Sequence, residues 1–201
     1  MKNILTLAVA AFLAGPVGAT NDNTTRYRVN KEASTVTWNA TKVTGEHSGT
    51  VGIQNGTLSV TEGQLVAANI IVDMQSIACT DLEGEWGTKL VGHLNSEDFF
   101  HVSEHKTSSF TLRDITPLAK AEGDATHSVT GDFTIRGITK SVTFNARVTE
   151  NNSELTSAGS AVLDRSQFEV KYGSGSFFDD LGDNLIHDNF TVGFNLVADA
   201  Q

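Results

Sequence analysis

Residues 129–148 constrain the fold more than any other stretch of the chain. On a first arm Val129, Gly131, Phe133 and Ile135 alternate with Thr130, Asp132, Thr134 and Arg136. On a second arm Val142, Phe144, Ala146 and Val148 alternate with Ser141, Thr143, Asn145 and Arg147. Strand side chains point to opposite faces with a period of two, so this pattern predicts a hairpin with one wet face and one buried face. The turn is expected at residues 137–140. The buried face needs a cover, and the chain offers little helix to supply it. Such a sheet either curls into a barrel or packs on a second sheet.

Further strands are predicted at residues 27–29, 34–43, 48–53, 57–61, 65–74, 107–115, 154–163 and 189–198. Asn55-Gly56 reads as a tight hairpin turn between the third and fourth of these. In the fifth, Val66, Ala68, Ile70, Val72 and Met74 share one face. Collected over the strands, the inner face comprises Trp38, Ile70, Val72, Met74, Phe110, Leu112, Phe133, Ile135, Phe144, Phe190 and Phe194. That set makes either a packed core or the wall of an apolar cavity. Ala68, Gly131 and Ala146 would leave the cavity its width. One helix is expected over residues 81–95, where Leu82, Trp86, Leu90 and Leu94 form an apolar stripe and Thr80 or Asp81 would cap the N-terminus. Packed across one end of a barrel, it would act as a lid.

The first residues read as an export signal: Lys2 is the positive end, residues 4–13 are apolar, and Val17-Gly18-Ala19 is the small-residue cleavage pattern. Residues 1–19 are therefore expected to be removed, leaving one domain over 20–201 in the periplasm or secreted. The apolar run is shorter than the ~20 residues of a membrane span. Net charge is −10, from 24 acidic and 14 basic residues. Nucleic-acid binding rests on neutralising phosphates and is disfavoured by this balance, as is docking on anionic lipid. The single cysteine, Cys79, leaves no internal disulfide and reads as a buried, inert thiol.

Several runs in fixed order resemble the YceI-like family of exported lipid-binding proteins. They are Trp38 with Lys42-Val43-Thr44-Gly45 and His47-Ser48-Gly49, Asp73-Met74-Gln75-Ser76-Ile77, and Lys89-Leu90-Val91-Gly92-His93-Leu94. They continue with Ser96-Glu97-Asp98-Phe99-Phe100, residues 131–140, Asp164-Arg165-Ser166 and Tyr172-Gly173-Ser174-Gly175-Ser176. The resemblance implies an all-β, lipocalin-like, antiparallel eight-stranded barrel whose lumen holds an isoprenoid lipid, such as a polyprenyl chain or a quinone tail. It implies no catalytic residues and no cofactor beyond that ligand. Residues 171–188 are longer and more acidic here than in the simplest members, so the mouth is where this chain is expected to differ.

Polar residues near the expected mouth are His47, His93, Arg165 and Tyr172, any of which could meet a quinone carbonyl or a phosphate oxygen. The histidines could equally anchor loop backbone, and Asp164-Arg165 could form an ion pair that fixes a turn. His101 and His105 would share a helix face as metal ligands do, but the segment reads as a turn and no third ligand is evident. Asp179, Asp180, Asp183 and Asp188 miss the spacing of a calcium loop. No nucleophile and base can be paired from the order of residues, so an enzyme is not expected. A quinone- or metal-linked redox accessory protein or enzyme, and a ligand-free barrel acting as an interaction module, are the alternatives. A homodimer is left open.

Overall fold

The computed structural model describes residues 23–151 and 153–201; the expected export signal lies outside them. The strands are β1 (Thr24–Val29), β2 (Thr35–Lys42), β3 (Gly45–Thr61), β4 (Gln64–Cys79), β5 (Thr107–Glu122), β6 (Ala125–Ile135), β7 (Ile138–Glu150), β8 (Glu154–Asp164) and β9 (Ile186–Ala200), with helix α1 (Gly84–Asn95) between β4 and β5. All pairings are antiparallel, and they close on themselves in the order β3, β2, β9, β8, β7, β6, β5, β4 and back to β3. Eight strands thus circle the barrel. The ninth, β1, shares a position with β2. It pairs with the far half of β3 at residues 57–61 and with the last residues of β9, where β2 has already ended.

Buried apolar side chains gather in two clusters, one toward each end. Tyr27, Leu58, Val60, Leu155 and Ala198 belong to the first, at the β1 end. Tyr27 is fully buried and its hydroxyl donates to Glu150; burial and that carboxylate push its pKa up to about 12. The second cluster, at the α1 end, joins Met74, Ile77, Leu94, Phe99, Leu163 and Phe168.

Several sequence expectations are corrected. Asn55-Gly56 is no turn but an irregularity inside the unbroken β3, with the register shifting between Ile53 and Asn55. The reason is local. Asn55 Oδ1 accepts the Gly56 N–H, and Val29 of β1 lies where a Gly56 side chain would stand. The hairpin turn comes later, at Glu62-Gly63, both with positive φ. A second shift between Ser59 and Val60 puts Leu65 on the inner face and leaves Val66 54% exposed. The β6–β7 turn is only Arg136-Gly137, at φ 51° and 73°, as a two-residue type I′ loop requires. Arg136 is held there by donating to the carbonyls of Phe99 and Glu169. Helix α1 starts at Gly84, after Glu83, without a side-chain cap, so Leu82 is outside it and Trp86 is 70% exposed. Only Leu90 and Leu94 of the expected stripe pack on the barrel.

Glycines set how closely walls and rings approach. A Cβ on Gly49 would fall 1.8 Å from the Ala78 carbonyl oxygen and 2.6 Å from the Trp38 ring, whereas Gly92 on α1 has open space. Gly49→Ala is therefore expected to destabilise the protein by about 3 kcal/mol or more, and Gly92→Ala to stabilise it by ~0.5–1 kcal/mol. Urea unfolding of the two variants checks both signs.

Candidate functional site

The alternation that closes the barrel also fixes what it encloses. The inward residues form a cavity of about 200 Å³. A single water needs only ~10–15 Å³ on the same scale, so side chains have left the centre unfilled. Trp38, Ile70, Val72, Met74, Phe110, Leu112, Phe133, Ile135, Phe144, Phe190 and Phe194, the inner face expected from the sequence, all line it. Val36, Val51, Leu58, Leu65, Ala68, Val192 and Leu196 line it too, as do Leu94, Phe99 and Phe100 at the α1 end. Leu58 was hidden by the extra residue of β3 between Ile53 and Asn55, and Leu65 by the extra residue of β4 between Leu65 and Ala67; each shifts the alternation of its strand by one residue. Phe99 and Phe100 follow a helix rather than a strand, so no period marked them as lumen residues.

The aromatic rings form an arc along the wall. Phe110 and Phe133 lie 5.0 Å apart between centroids, Phe110 and Phe144 5.8 Å, Phe133 and Phe144 6.0 Å, and Phe144 and Phe194 5.7 Å. These edge-to-face and tilted contacts join neighbours around the barrel. Recesses in the wall hold the rings back. A Cβ on Gly131 would fall 2.1 Å from the Phe110 ring, and one on Gly159 3.1 Å from Phe194. Gly131 therefore does not widen the cavity directly, as expected from sequence; its vacant side-chain space is taken by Phe110. Ala68 and Ala146 do face the lumen as small residues.

The polar residues expected at the mouth separate into three cases. His47 is not on the lumen. Its Nδ1 lies 2.8 Å from Asp81 Oδ2, while Asp81 Oδ1 accepts from the Ser48 N–H and from Cys79 Sγ. Cys79 is half-buried and thus fastened at the end of β4 rather than sunk in the core. Burial of Asp81 opposes its charge, but these hydrogen bonds outweigh it and hold the carboxyl down at about 2. Arg165 reaches the lumen, but four of its five N–H donors are bound to backbone carbonyls and its charge is paired with Asp188. Its Nε donates to His187 O, Nη1 to Val170 O and Tyr172 O, and Nη2 to Ile186 O, with Asp188 Oδ1 3.3 Å away. Arg165 therefore staples residues 170–187 to the barrel and is ill suited to hold a head group. The expected pairing with Asp164 is corrected as well, since Asp164 caps the short helix Arg165–Phe168 by accepting from Ser166. Finally, His93 packs its ring 4.4 Å from Tyr172 and 5.6 Å from Phe99, joining α1 to the loop. Tyr172 is 49% exposed, and the Gly-Ser run beside it is no slack loop, because Ser174 is fully buried.

His101 and His105 meet edge to face at 5.9 Å between centroids in the connection to β5. Among the described residues no group of three or more His, Cys, Asp or Glu is placed to hold a metal ion, and no helix is long and apolar enough to cross a membrane.

Replacing Arg165 with lysine removes the fork that serves four carbonyls, so Arg165→Lys is expected to lower stability by roughly 2 kcal/mol and to open residues 171–185 to limited proteolysis. Asp81→Ala tests the other tether. With its folded pKa near 2 against an ordinary 3.8, Asp81 stabilises the fold above pH ~4, and that contribution is lost as pH falls through 2. The gap in urea midpoint between wild type and Asp81→Ala should therefore be full at pH 6 and close on acidification.

The comparisons agree with this architecture. A UPF0312 protein of Pseudomonas aeruginosa (strain LESB58) is 33% identical over 89 residues, which cover 41% of this chain and 44% of that protein. A UPF0312 protein of Ectopseudomonas mendocina (strain ymp) is 38% identical over 55 residues, 27% of each chain. The alignments thus span less than half the length of these curated relatives. Among solved structures, BcnA of Burkholderia cenocepacia superposes with a TM-score of 0.64 at 23% identity, covering 84% of this chain and 98% of its own. A polyisoprenoid binding domain from Saccharophagus degradans, implicated in plant cell wall breakdown, gives 0.62 at 13% identity, covering 87% and 98%. At these identities the likeness is one of fold. The YceI-like domain matches residues 27–198, nearly the whole barrel, and the chain belongs to the YceI-like family.

Proposed function

We propose that this protein is an exported carrier or sequestering protein that binds an isoprenoid lipid, a polyprenyl chain or quinone tail, inside the barrel. The carrying observation is the unfilled apolar lumen. An empty cavity of about 200 Å³ in a closed barrel would lower stability by roughly 5 kcal/mol at ~24 cal/mol per Å³. A bound hydrocarbon restores those contacts. Burying ~400 Å² of chain at ~25 cal/mol per Å² supplies roughly 10 kcal/mol before the losses of association.

The chemistry of the wall fits an isoprenoid. Such a chain has methyl branches and double bonds but almost no hydrogen-bonding capacity, so it needs shape and apolar surface. The arc of phenylalanine rings offers an irregular surface for branches and unsaturation. Kinship with a fold in which one structural neighbour is a polyisoprenoid binding domain supports the same reading. No covalent step is required; uptake and release would proceed past α1 and residues 170–187, the segments that overlie one end. Export is proposed from the pattern of residues 1–19.

Protein purified from a bacterial host and extracted into organic solvent should yield an isoprenoid lipid by mass spectrometry. Ala68→Phe, which puts a ring into the lumen at a small wall residue, should reduce that yield several-fold while circular dichroism remains that of a β-barrel. Recovery of only membrane phospholipid, or of equal isoprenoid from both proteins, would overturn the proposal.

A further inference from the structure

The lumen is almost wholly hydrocarbon, which sets one residue apart. Ser108, the second residue of β5, is 8% exposed, lines the cavity, and has a hydroxyl without a hydrogen-bond partner. It pairs with Val72 of β4 and stands on the same strand face as Phe110. Buried polar groups are nearly always partnered, and an alanine here would cover the wall equally well. Two other polar side chains of the wall do not supply the missing contact. Arg165 spends four of its five donors on backbone carbonyls, and the Thr37 hydroxyl is directed to Gly193 O.

The two ends of the barrel also differ around the lumen, although His93 and Asn95 do not themselves line it. His93 Nε2 and Asn95 Oδ1, in the last turn of α1, are buried without partners as well. Leu94, between them, lines the cavity. Among the described residues the cluster around Tyr27 and Leu155, at the opposite end, contains no such atom.

We infer that Ser108 is a hydrogen-bonding station inside the barrel, and that it selects an isoprenoid carrying an oxygen: an alcohol, phenol or quinone. The oxygen lies in the α1 half, and the tail runs toward Leu58 and Leu196. The inference rests on the lipid-binding reading and deepens it. A serine hydroxyl donates to a quinone carbonyl and accepts from an alcohol or phenol, so each of these heads can satisfy it. A pure hydrocarbon of the same girth would leave it bare. Sites that hydrogen-bond a ligand oxygen discriminate by this means.

The test uses delipidated protein, with Trp38 fluorescence as the readout because that ring lines the lumen. Trp86, 70% exposed on α1, is replaced by phenylalanine throughout to remove its signal. Two probes are titrated, the branched C20 alcohol phytol and its oxygen-free counterpart phytane. Ser108→Ala should weaken phytol by roughly three- to tenfold and shift phytane by less than about twofold. Because each probe is compared with itself, its intrinsic aversion to water cancels. Equal shifts for both probes, no shift for either, or a phytol-specific loss in Ser157→Ala in place of Ser108→Ala would overturn the inference while leaving lipid binding intact. If neither probe binds the parent protein, the lipid-binding reading falls, and the inference with it.

Discussion

Backbone hydrogen bonding at the seam of the sheet is the constraint on which everything else depends. A twisted sheet of long strands has two edges of unpaired amides, and these are eliminated only by closure. Here β3 performs it, pairing with β4 along one side and with β2 and then β1 along the other. The handover from β2 to β1 is possible because β3 bends where Gly56 admits Val29. Once closed, the sheet has a single inner face, and every alternate side chain must share it. Closure fixes that space; residue size determines how much of it remains empty.

Residue size is tuned by pairing large with nothing. Where the wall carries Phe110, Phe194 or Trp38, a neighbouring strand carries Gly131, Gly159 or Gly49. The rings recline into those positions and touch one another around the circumference instead of meeting across the axis. With alanine or valine at the glycines, the same aromatic content would be forced inward. Polar chemistry is kept out of the interior with equal economy. Arg165, among the described residues the one cation on the lumen wall, is surrounded by carbonyl oxygens, and Asp188 and Asp164 oppose the downward pull of burial on its pKa.

Much of this was legible because a period-two pattern leaves little freedom. The hairpin of β6 and β7 reads directly, as do Phe190, Val192 and Phe194 on β9, and the lining residues predicted from these strands lie where the pattern puts them. Where the pattern breaks, sequence misleads. Asn55-Gly56 has the composition of a turn, yet tertiary contact with β1 makes it a bend within one strand. Val66 and Leu65 exchange faces because of a register shift that no local signal announces. Trp86 obeys a helical stripe but points to solvent, since α1 lies against the barrel along a seam narrower than four residues. The role of Arg165 depends on how the loop after it folds back over the guanidinium, and that of Ser108 on a hydroxyl left without a partner, so neither could be read from composition. The family resemblance supplied the closed barrel; alternation alone allowed a sandwich as well.

The reclining rings carry a mechanical corollary. A phenylalanine lying over a glycine can pivot about its own side-chain torsions without dragging a strand along, because no Cβ stands beneath it. The calibre of the tube is then governed by a few rotamers, while the hydrogen-bonded staves around it stay in register. Guests of different thickness would be gripped by the same rigid cask through small adjustments of its padding.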